Sequence, residues 1–379
     1  MKENTIYKDF AVKLDHCTYN ILLGRGHFVD SIIESLNTRT KNKKVLLVFD
    51  PCFEGELSQG VSDVLTQSGY ETFVYVLKAG KHNKTISGAI DLYEFLEIQG
   101  FSRDSTIVAF GGGVIGDLVG FVASTYLRGI NFISVSTTLM AMIDSSIGGK
   151  VAINFRKTIN AIGNYYHPML NVIDFDFMDS LSDRDFKSGL AEIIKCAFIS
   201  DRDLLNYMVS NSDRILKRNQ DDLLFIMSRA IEIKLDHVSG DVREQGKRLK
   251  LNYGHTLGHS IEVSTDVLGE VYRHGEGVSL GMVGAAFLAN KHFDKGDDIL
   301  EVHEKILEKY GLPTRVSAGE INFDRDDLIK ECLVNVYKDK KKKNSQLRFV
   351  LPNSVGECGV YSDVDQSLIA EAFNYLIRS

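Results

Sequence analysis

Four apolar runs of β-forming residues, KVLLVF, TFVYVL, STIVAF and NFISVS, alternate in the first half of the chain with helix-like stretches such as GELSQGVSDVLTQSG and ISGAIDLYEFLEIQG. Strands buried on both faces read as continuous apolar runs, and their alternation with helices predicts βαβ units around a parallel sheet. Beyond about residue 180 the pattern turns into long amphipathic segments, among them DFKSGLAEIIKCAFI, GEGVSLGMVGAAFLANKH and DILEVHEKILEKYG. The expected fold is an α/β domain with a parallel sheet over residues 1–180, followed by a mostly α-helical domain over 181–379. Four prolines and no low-complexity linker leave the change of period as the only mark of the boundary.

A chain of 379 residues with 44% hydrophobic content can bury the cores of two such domains. Its formal charge of -7 argues against a general nucleic-acid binder, which would carry a basic excess. Five cysteines, Cys17, Cys52, Cys196, Cys332 and Cys358, are scattered without Cys-x-x-Cys spacing, which suits a reducing compartment; a cytoplasmic location is expected. The N-terminal MKENTIYKDF lacks the apolar stretch of a signal peptide, and the best apolar run, SLGMVGAAFLA, is too short to span a bilayer. No membrane partner is expected.

In STIVAFGGGVIGDLVGF, Gly111, Gly113 and Gly116 have GxGxxG spacing directly after one strand and at the start of a helix. There, backbone N–H groups and a helix N-terminus can hold a pyrophosphate, although a tight turn packed on a sheet reads the same way. The acidic residue usual about 20 positions further on is missing. Asp50, at the end of KVLLVFD, is the candidate ribose acid instead. SSIGGKV is no P-loop, because Val follows Lys150 and the upstream glycine is absent.

LNYGHTLGHSIE sets His255 and His259 four residues apart, each after a glycine. On one helix face such a pair suits two metal ligands, or one ligand and one acid–base group, and the spacing does not choose. Thr256 occupies the Glu position of the zinc-protease motif, so further ligands must come from elsewhere. GLAEIIKCAFI places Glu192 and Lys195 one turn apart in an apolar helix, where buried charges need partners or a metal. Glu192 is the candidate oxygen ligand, and Lys195 can face an anionic substrate. His274 precedes a helix start in VYRHGEGVSLGM and completes a carboxylate and two imidazoles. His259 is then free for proton transfer or phosphate contact. The run KDKKKKNSQ at 338–346 reads as a solvated loop that, with the strand-like LRFVLP after it, can act as a cationic flap.

The blocks FGGGVIGDLVGFVASTYLRG, STTLMAMIDSSIGGK, IGNYYHP, GLAEIIK, LNYGHTLGHSIE, HGEGVSLGM and DKK with its following RFVLP together resemble the 3-dehydroquinate synthase family of sugar phosphate cyclases. The resemblance implies an NAD-binding α/β domain followed by a helical metal domain. It implies zinc, with cobalt as a substitute, on Glu192, His255 and His274. NAD contacts would fall on Asp50, Lys84, the loop residues Gly112, Gly113, Gly116 and Asp117, then Thr137, Thr138, Lys150, Phe177 and Ser180. Catalytic positions match Asp144, Lys150, Lys195, Lys234, Arg248 and His259. Substrate contacts match Arg128, Asn160, Asn252 and one of Lys340 or Lys341. The implied reaction is a carbon–oxygen lyase reaction in which 3-deoxy-D-arabino-heptulosonate 7-phosphate gives 3-dehydroquinate and phosphate, NAD being restored in each turnover. A homodimer is the implied assembly.

Three positions depart from the family pattern. Lys81 replaces an acid near the cofactor ribose, Ile159 a lysine beside Asn160, and Cys52 an asparagine. Altered NAD affinity is therefore expected. The alternatives are a sibling cyclase of the aminodehydroquinate, 2-deoxy-scyllo-inosose or valiolone type, then a metal-dependent polyol dehydrogenase, then a non-catalytic NAD-binding protein. Lys234, Arg248 and Asn252 favour a carboxylate-bearing substrate.

Overall fold

The run KVLLVF does form a strand, Lys44–Phe49, with every residue after the first buried. This computed structural model describes residues 4–77, 83–156, 158–266, 269–293, 298–343 and 347–379, the side chains of 339–343 excepted. The chain divides into two compact units, Met1–Ser182 and Asp183–Ser379.

The first unit contains β1 (Thr5–Leu14), β2 (Cys17–Arg25), β3 (Lys44–Phe49), β4 (Glu71–Val76), β5 (Thr106–Gly111), β6 (Asn131–Ser136), β7 (Lys150–Phe155), β8 (Thr158–Tyr165) and β9 (Leu170–Asp174). Its helices are α1 (Phe28–Arg39), α2 (Glu56–Gln67), α3 (Ile86–Ile98) and α4 (Gly113–Thr125). Seven strands form one sheet in the order β1-β2-β9-β6-β5-β3-β4. β1 and β2 are antiparallel, joined by the two-residue turn of Asp15 and His16, and all other neighbours in this sheet are parallel. β5 is buried throughout, as a strand covered on both faces should be. Leu46, Val48, Ile107 and Ala109 pack there with Leu92, Leu118 and Val122 of the covering helices.

The chain leaves β3 for β4 on one side and returns to β5 on the other, which makes the C-terminal ends of β3 and β5 a topological switch point. Asp50 and the glycine loop both emerge there, and the Asp50 N–H donates to the Phe110 carbonyl at 2.9 Å. β7 and β8 form a separate antiparallel hairpin. A π-helical turn, Ala141–Ser145, precedes it and carries Asp144.

The second unit is mostly helical: α5 (Asp183–Ser200), α6 (Arg202–Ser210), α7 (Ser212–Leu216), α8 (Gln220–Val238), α9 (His255–Thr265), α10 (His274–His292), α11 (Asp298–Lys309), α12 (Arg325–Lys343) and α13 (Gln366–Leu376). Short strands β10 (Val316–Ser317) and β13 (Ile377–Arg378) pair in parallel, and β11 (Phe349–Ser354) and β12 (Glu357–Tyr361) form a hairpin. LRFVLP is thus a strand, as expected. Over 338–343 the basic run is not the loop expected for it, because lysine is a good helix former and α12 continues through Lys343; residues 344–346 lie outside the described residues.

α9 and α10 cross at glycines. A Cβ on Gly281 would stand 1.7 Å from the Gly254 carbonyl oxygen, and one on Gly258 would stand 2.4 Å from that of Gly277. Only hydrogen fits at either place. Gly254 also caps α9 with φ 79°, a left-handed conformation natural to glycine. The glycines before His255 and His259 therefore serve a backbone-to-backbone crossing.

Candidate active site

The second unit gathers the metal-ligand candidates. His255 and His274 are the first residues of α9 and α10, and Glu192 lies in the buried stretch of α5. Oε1 of Glu192 is 3.8 Å from Nε2 of His255 and 3.5 Å from Nε2 of His274. His259 joins them, its ring centroid 5.1 Å from that of His255 and 5.4 Å from that of His274. Donor atoms of the three imidazoles lie within 4.8 Å of one another, so geometry leaves His259 open to either role.

The Glu192 carboxylate is 0% exposed and faces an ammonium and two imidazoles. It forms an ion pair with Lys195, itself 1% exposed. Burial pushes the Glu192 carboxyl up, but Lys195 first, then His274 and His255, more than offset it and hold it well below the usual carboxylate range. Burial, then the Lys195 charge, push His255 well below the usual imidazole range. A buried carboxylate with two imidazoles facing one of its oxygens fits a divalent cation: one oxygen and two nitrogens leave coordination positions for substrate.

Two acids not singled out from the sequence support this arrangement. Glu262 Oε1 is 3.4 Å from His274 Nδ1, on the other side of the ring from Glu192. Its position seven residues after His255 on the same helix was the available signal. Asp241 accepts backbone N–H bonds from Gln245, Gly246 and Arg248 at 2.8, 2.8 and 2.9 Å, shaping the loop that delivers Arg248. No side-chain periodicity announces such a role. On the far side of His255, Nδ1 faces the Tyr253 carbonyl at 3.1 Å, which directs Nε2 toward Glu192.

Lys234 and Arg248 are 5% and 2% exposed, Arg248 donating to the Val242 carbonyl at 2.7 Å. Asn252 donates to Glu244 at 2.6 Å. The side chains of Lys340 and Lys341 lie outside the described residues.

In the first unit, Gly112 caps α4, so the first N–H groups of the helix, which lack intrahelical partners, open on the loop. A Cβ on Gly112 would stand 3.0 Å from Thr138, and one on Gly113 2.9 Å from Ser145, so the loop sits close against both. The Thr137 N–H donates to Gly111 O at 3.1 Å, and the Thr138 hydroxyl accepts from the Ala141 N–H at 3.2 Å. Lys84, 7% exposed, donates to Asp117 and to Asn160, each at 2.5 Å. Gly112, Gly116, Asp117, Ser145 and Lys150 line one pocket. Asp144 lies in the π turn that supplies Ser145. Asp50 accepts from the Cys52 N–H at 3.1 Å, and burial followed by the Asp50 carboxylate raises the Cys52 thiol to about 12. Phe177 packs against Phe28 and Phe53, and Ser180 donates to the Phe177 carbonyl. Ile159 is 50% exposed next to Asn160, whereas Lys81 lies outside the described residues. Arg128 is not with this group. It follows the C-terminal end of α4, about 20 Å along the helix from the glycine loop.

The profile for the 3-dehydroquinate synthase N-terminal region matches residues 74–188, and that for the 3-dehydroquinate synthase C-terminal region matches 189–342. The chain belongs to the 3-dehydroquinate synthase family. It is 39% identical to the 3-dehydroquinate synthase of Thermodesulfovibrio yellowstonii over 96% of this chain and 98% of that protein. The structure of 2-deoxy-scyllo-inosose synthase complexed with carbaglucose-6-phosphate, NAD+ and Co2+ is similar at a TM-score of 0.84 and 25% identity, covering 97% of this chain and 100% of that one. The 2-epi-5-epi-valiolone synthase of Streptomyces hygroscopicus subsp. jinggangensis, with NAD+ and Zn2+ bound, shares the fold at a TM-score of 0.84 and 23% identity, covering 96% and 98% of the two chains. Among the described residues no helix is long and apolar enough to cross a membrane.

Proposed function

We propose that this member of the 3-dehydroquinate synthase family converts 3-deoxy-D-arabino-heptulosonate 7-phosphate into 3-dehydroquinate and phosphate, a carbon–oxygen lyase reaction. The observation that carries the reading is the buried carboxylate of Glu192 facing His255 and His274 among buried cations, in a chain matched along both halves by the family. Glu192, His255 and His274 would hold the divalent ion. Asp50, Lys84, Asp117, Thr137, Thr138 and the N-terminus of α4 would hold NAD, with Phe177 and Ser180 on its nicotinamide side. When bound, NAD supplies a reversible hydride acceptor and the ion polarises a substrate oxygen.

The chain's own groups do the rest. Arg248 offers two parallel N–H donors to a carboxylate, and Lys234 and Lys195 add positive charge. Asn252, Asn160 and Lys150 orient hydroxyl and phosphate groups, and Asp144 lies in the turn next to Lys150. His259, exposed and beside the other two imidazoles, accepts or returns a proton at the substrate. One of Lys340 or Lys341 completes the phosphate contacts.

We assign a cytoplasmic location, which the free cysteines support, and a homodimer, which the exposed apolar Phe155, Ile159 and Ile162 on the β7–β8 hairpin support. Light scattering tests the dimer. The function is tested by incubating the protein with the heptulosonate phosphate, Zn2+ and sub-stoichiometric NAD while following phosphate and 3-dehydroquinate. Many turnovers per NAD are expected, with no lasting NADH absorbance and with loss of activity on chelation. Turnover of glucose 6-phosphate or sedoheptulose 7-phosphate in its place would transfer the assignment to a sibling cyclase. Stoichiometric NADH without phosphate would make it a dehydrogenase.

A further inference from the structure

A second group of side chains of the metal-ligating type lies in the first unit; none of them is assigned above, although the His167 ring lies against Gly149, next to Lys150. β2 runs parallel to β9 with Asn20 opposite Leu170. Cys17 and His167 each lie three residues before that pair, His167 in the irregular segment that leads into β9. The tight turn of Asp15 and His16 between β1 and β2 adds a second imidazole next to the thiol. One donor atom each from His16, Cys17 and His167 lies within 4.8 Å of the other two, and the two imidazole centroids are 5.2 Å apart. The His167 ring packs against Tyr19, 5.5 Å between centroids, with both its nitrogens shielded from solvent, while His16 is exposed.

We propose that His16, Cys17 and His167 form a second divalent-metal site, of the Zn2+ class, distinct from Glu192, His255 and His274. One thiolate and two imidazoles match the borderline-soft preference of zinc, and the exposed side at His16 leaves room for water as a fourth ligand. Tetrahedral bonding brings such donors to about 3.3–3.7 Å from one another, a contraction that turning an exposed imidazole on a hairpin tip can supply. The incoming ion displaces the Cys17 proton to bulk water and leaves a metal-bound thiolate. The ion would link the β1–β2 turn to the chain entering β9, closing a loop of roughly 150 residues. Its role is to brace one edge of the sheet, and it does not depend on what the second unit catalyses.

The test uses full-length, metal-free protein titrated with Co2+, because a thiolate bound to Co2+ absorbs in the near ultraviolet and the Glu192 site contains no sulfur. The expected result is two bound equivalents per chain and a thiolate-to-cobalt band that saturates with one of them. Cys17→Ser should remove that band and one equivalent while leaving turnover unchanged. His16→Ala, on the turn and harmless to folding, should weaken the same equivalent roughly tenfold or more. A single equivalent with no band overturns the proposal, as does half-saturation only at millimolar cobalt. A band that survives Cys17→Ser assigns the sulfur to another cysteine and overturns it equally.

Discussion

His274 stands between two carboxylates, its Nε2 3.5 Å from Oε1 of Glu192 and its Nδ1 3.4 Å from Oε1 of Glu262. A ligating imidazole anchored through its second nitrogen keeps one tautomer and one orientation, and losing such an anchor typically costs roughly 10–100-fold in metal affinity. Glu262→Gln keeps an acceptor but loses the charge. It should release the ion to a chelator at least tenfold more readily while its circular dichroism stays that of the parent. Equal retention would remove Glu262 from the site.

The glycine crossing of α9 and α10 gives a prediction of opposite sign at two kinds of glycine. Gly281→Ala puts a methyl group 1.7 Å from the Gly254 carbonyl, and overpacking of this kind costs about 1–3 kcal/mol or more. Gly60 lies in α2, exposed, with nothing within 4 Å of an added Cβ, so Gly60→Ala should stabilise by about 0.5–1 kcal/mol. Urea midpoints for the two variants should move in opposite directions, and only Gly281→Ala should also lose metal.

Arg248 tests the substrate. Removing a desolvated charge partner costs about 2–5 kcal/mol, so Arg248→Ala should lower kcat/KM on the heptulosonate phosphate by roughly 30-fold to several thousand-fold. Arg248→Lys should recover only part, since an ammonium cannot form the parallel pair of bonds. If turnover of a substrate lacking a carboxylate were preferred and Arg248→Ala left it untouched, the guanidinium would have no carboxylate to hold.

His303 makes stability depend on pH. Its Nδ1–H donates to the Ile299 carbonyl at 2.6 Å, which leaves Nε2 to accept from the Tyr253 hydroxyl at 2.6 Å, a pairing that needs a neutral ring. Burial lowers its pKa to about 4. Between that value and the ordinary 6.5 the unfolded chain binds the proton and the folded one does not, so stability is fully present above pH 6.5 and declines toward pH 4, by about 3 kcal/mol. Denaturation midpoints measured across this window should fall with acidity, and His303→Gln should flatten the slope. An equal slope in both proteins would exclude His303 as its source.

What could be read in advance followed from local chemistry. β3, β5 and β6 were legible because strands covered on both faces need continuous apolar runs. The hairpin of β1 and β2 was not, since its edge strand TIYKDFAVKL mixes charges with apolar residues. Glu192, His255 and His274 could be named from charge in apolar surroundings, but their meeting at 3.5–3.8 Å depends on where α5, α9 and α10 pack. Asp241 escaped notice because it acts through backbone N–H groups, which every residue type offers equally. The lysine run at 338–343 differs from expectation because a run of charge does not distinguish loop from helix.

The π-helical turn at Ala141–Ser145 has a consequence for the lineage of this chain. A π turn is an α-helical turn with one residue inserted, and the extra residue offsets everything downstream by about 100° around the helix axis. Deleting one residue here would restore a regular helical turn, yet it would swing Ser145 away from the loop it presses against at Gly113. A point substitution in this segment alters one side chain, but a change in its length would shift the phase of the wall of the pocket at once. Relatives of this protein should therefore keep the same count of residues between Thr138 and Lys150.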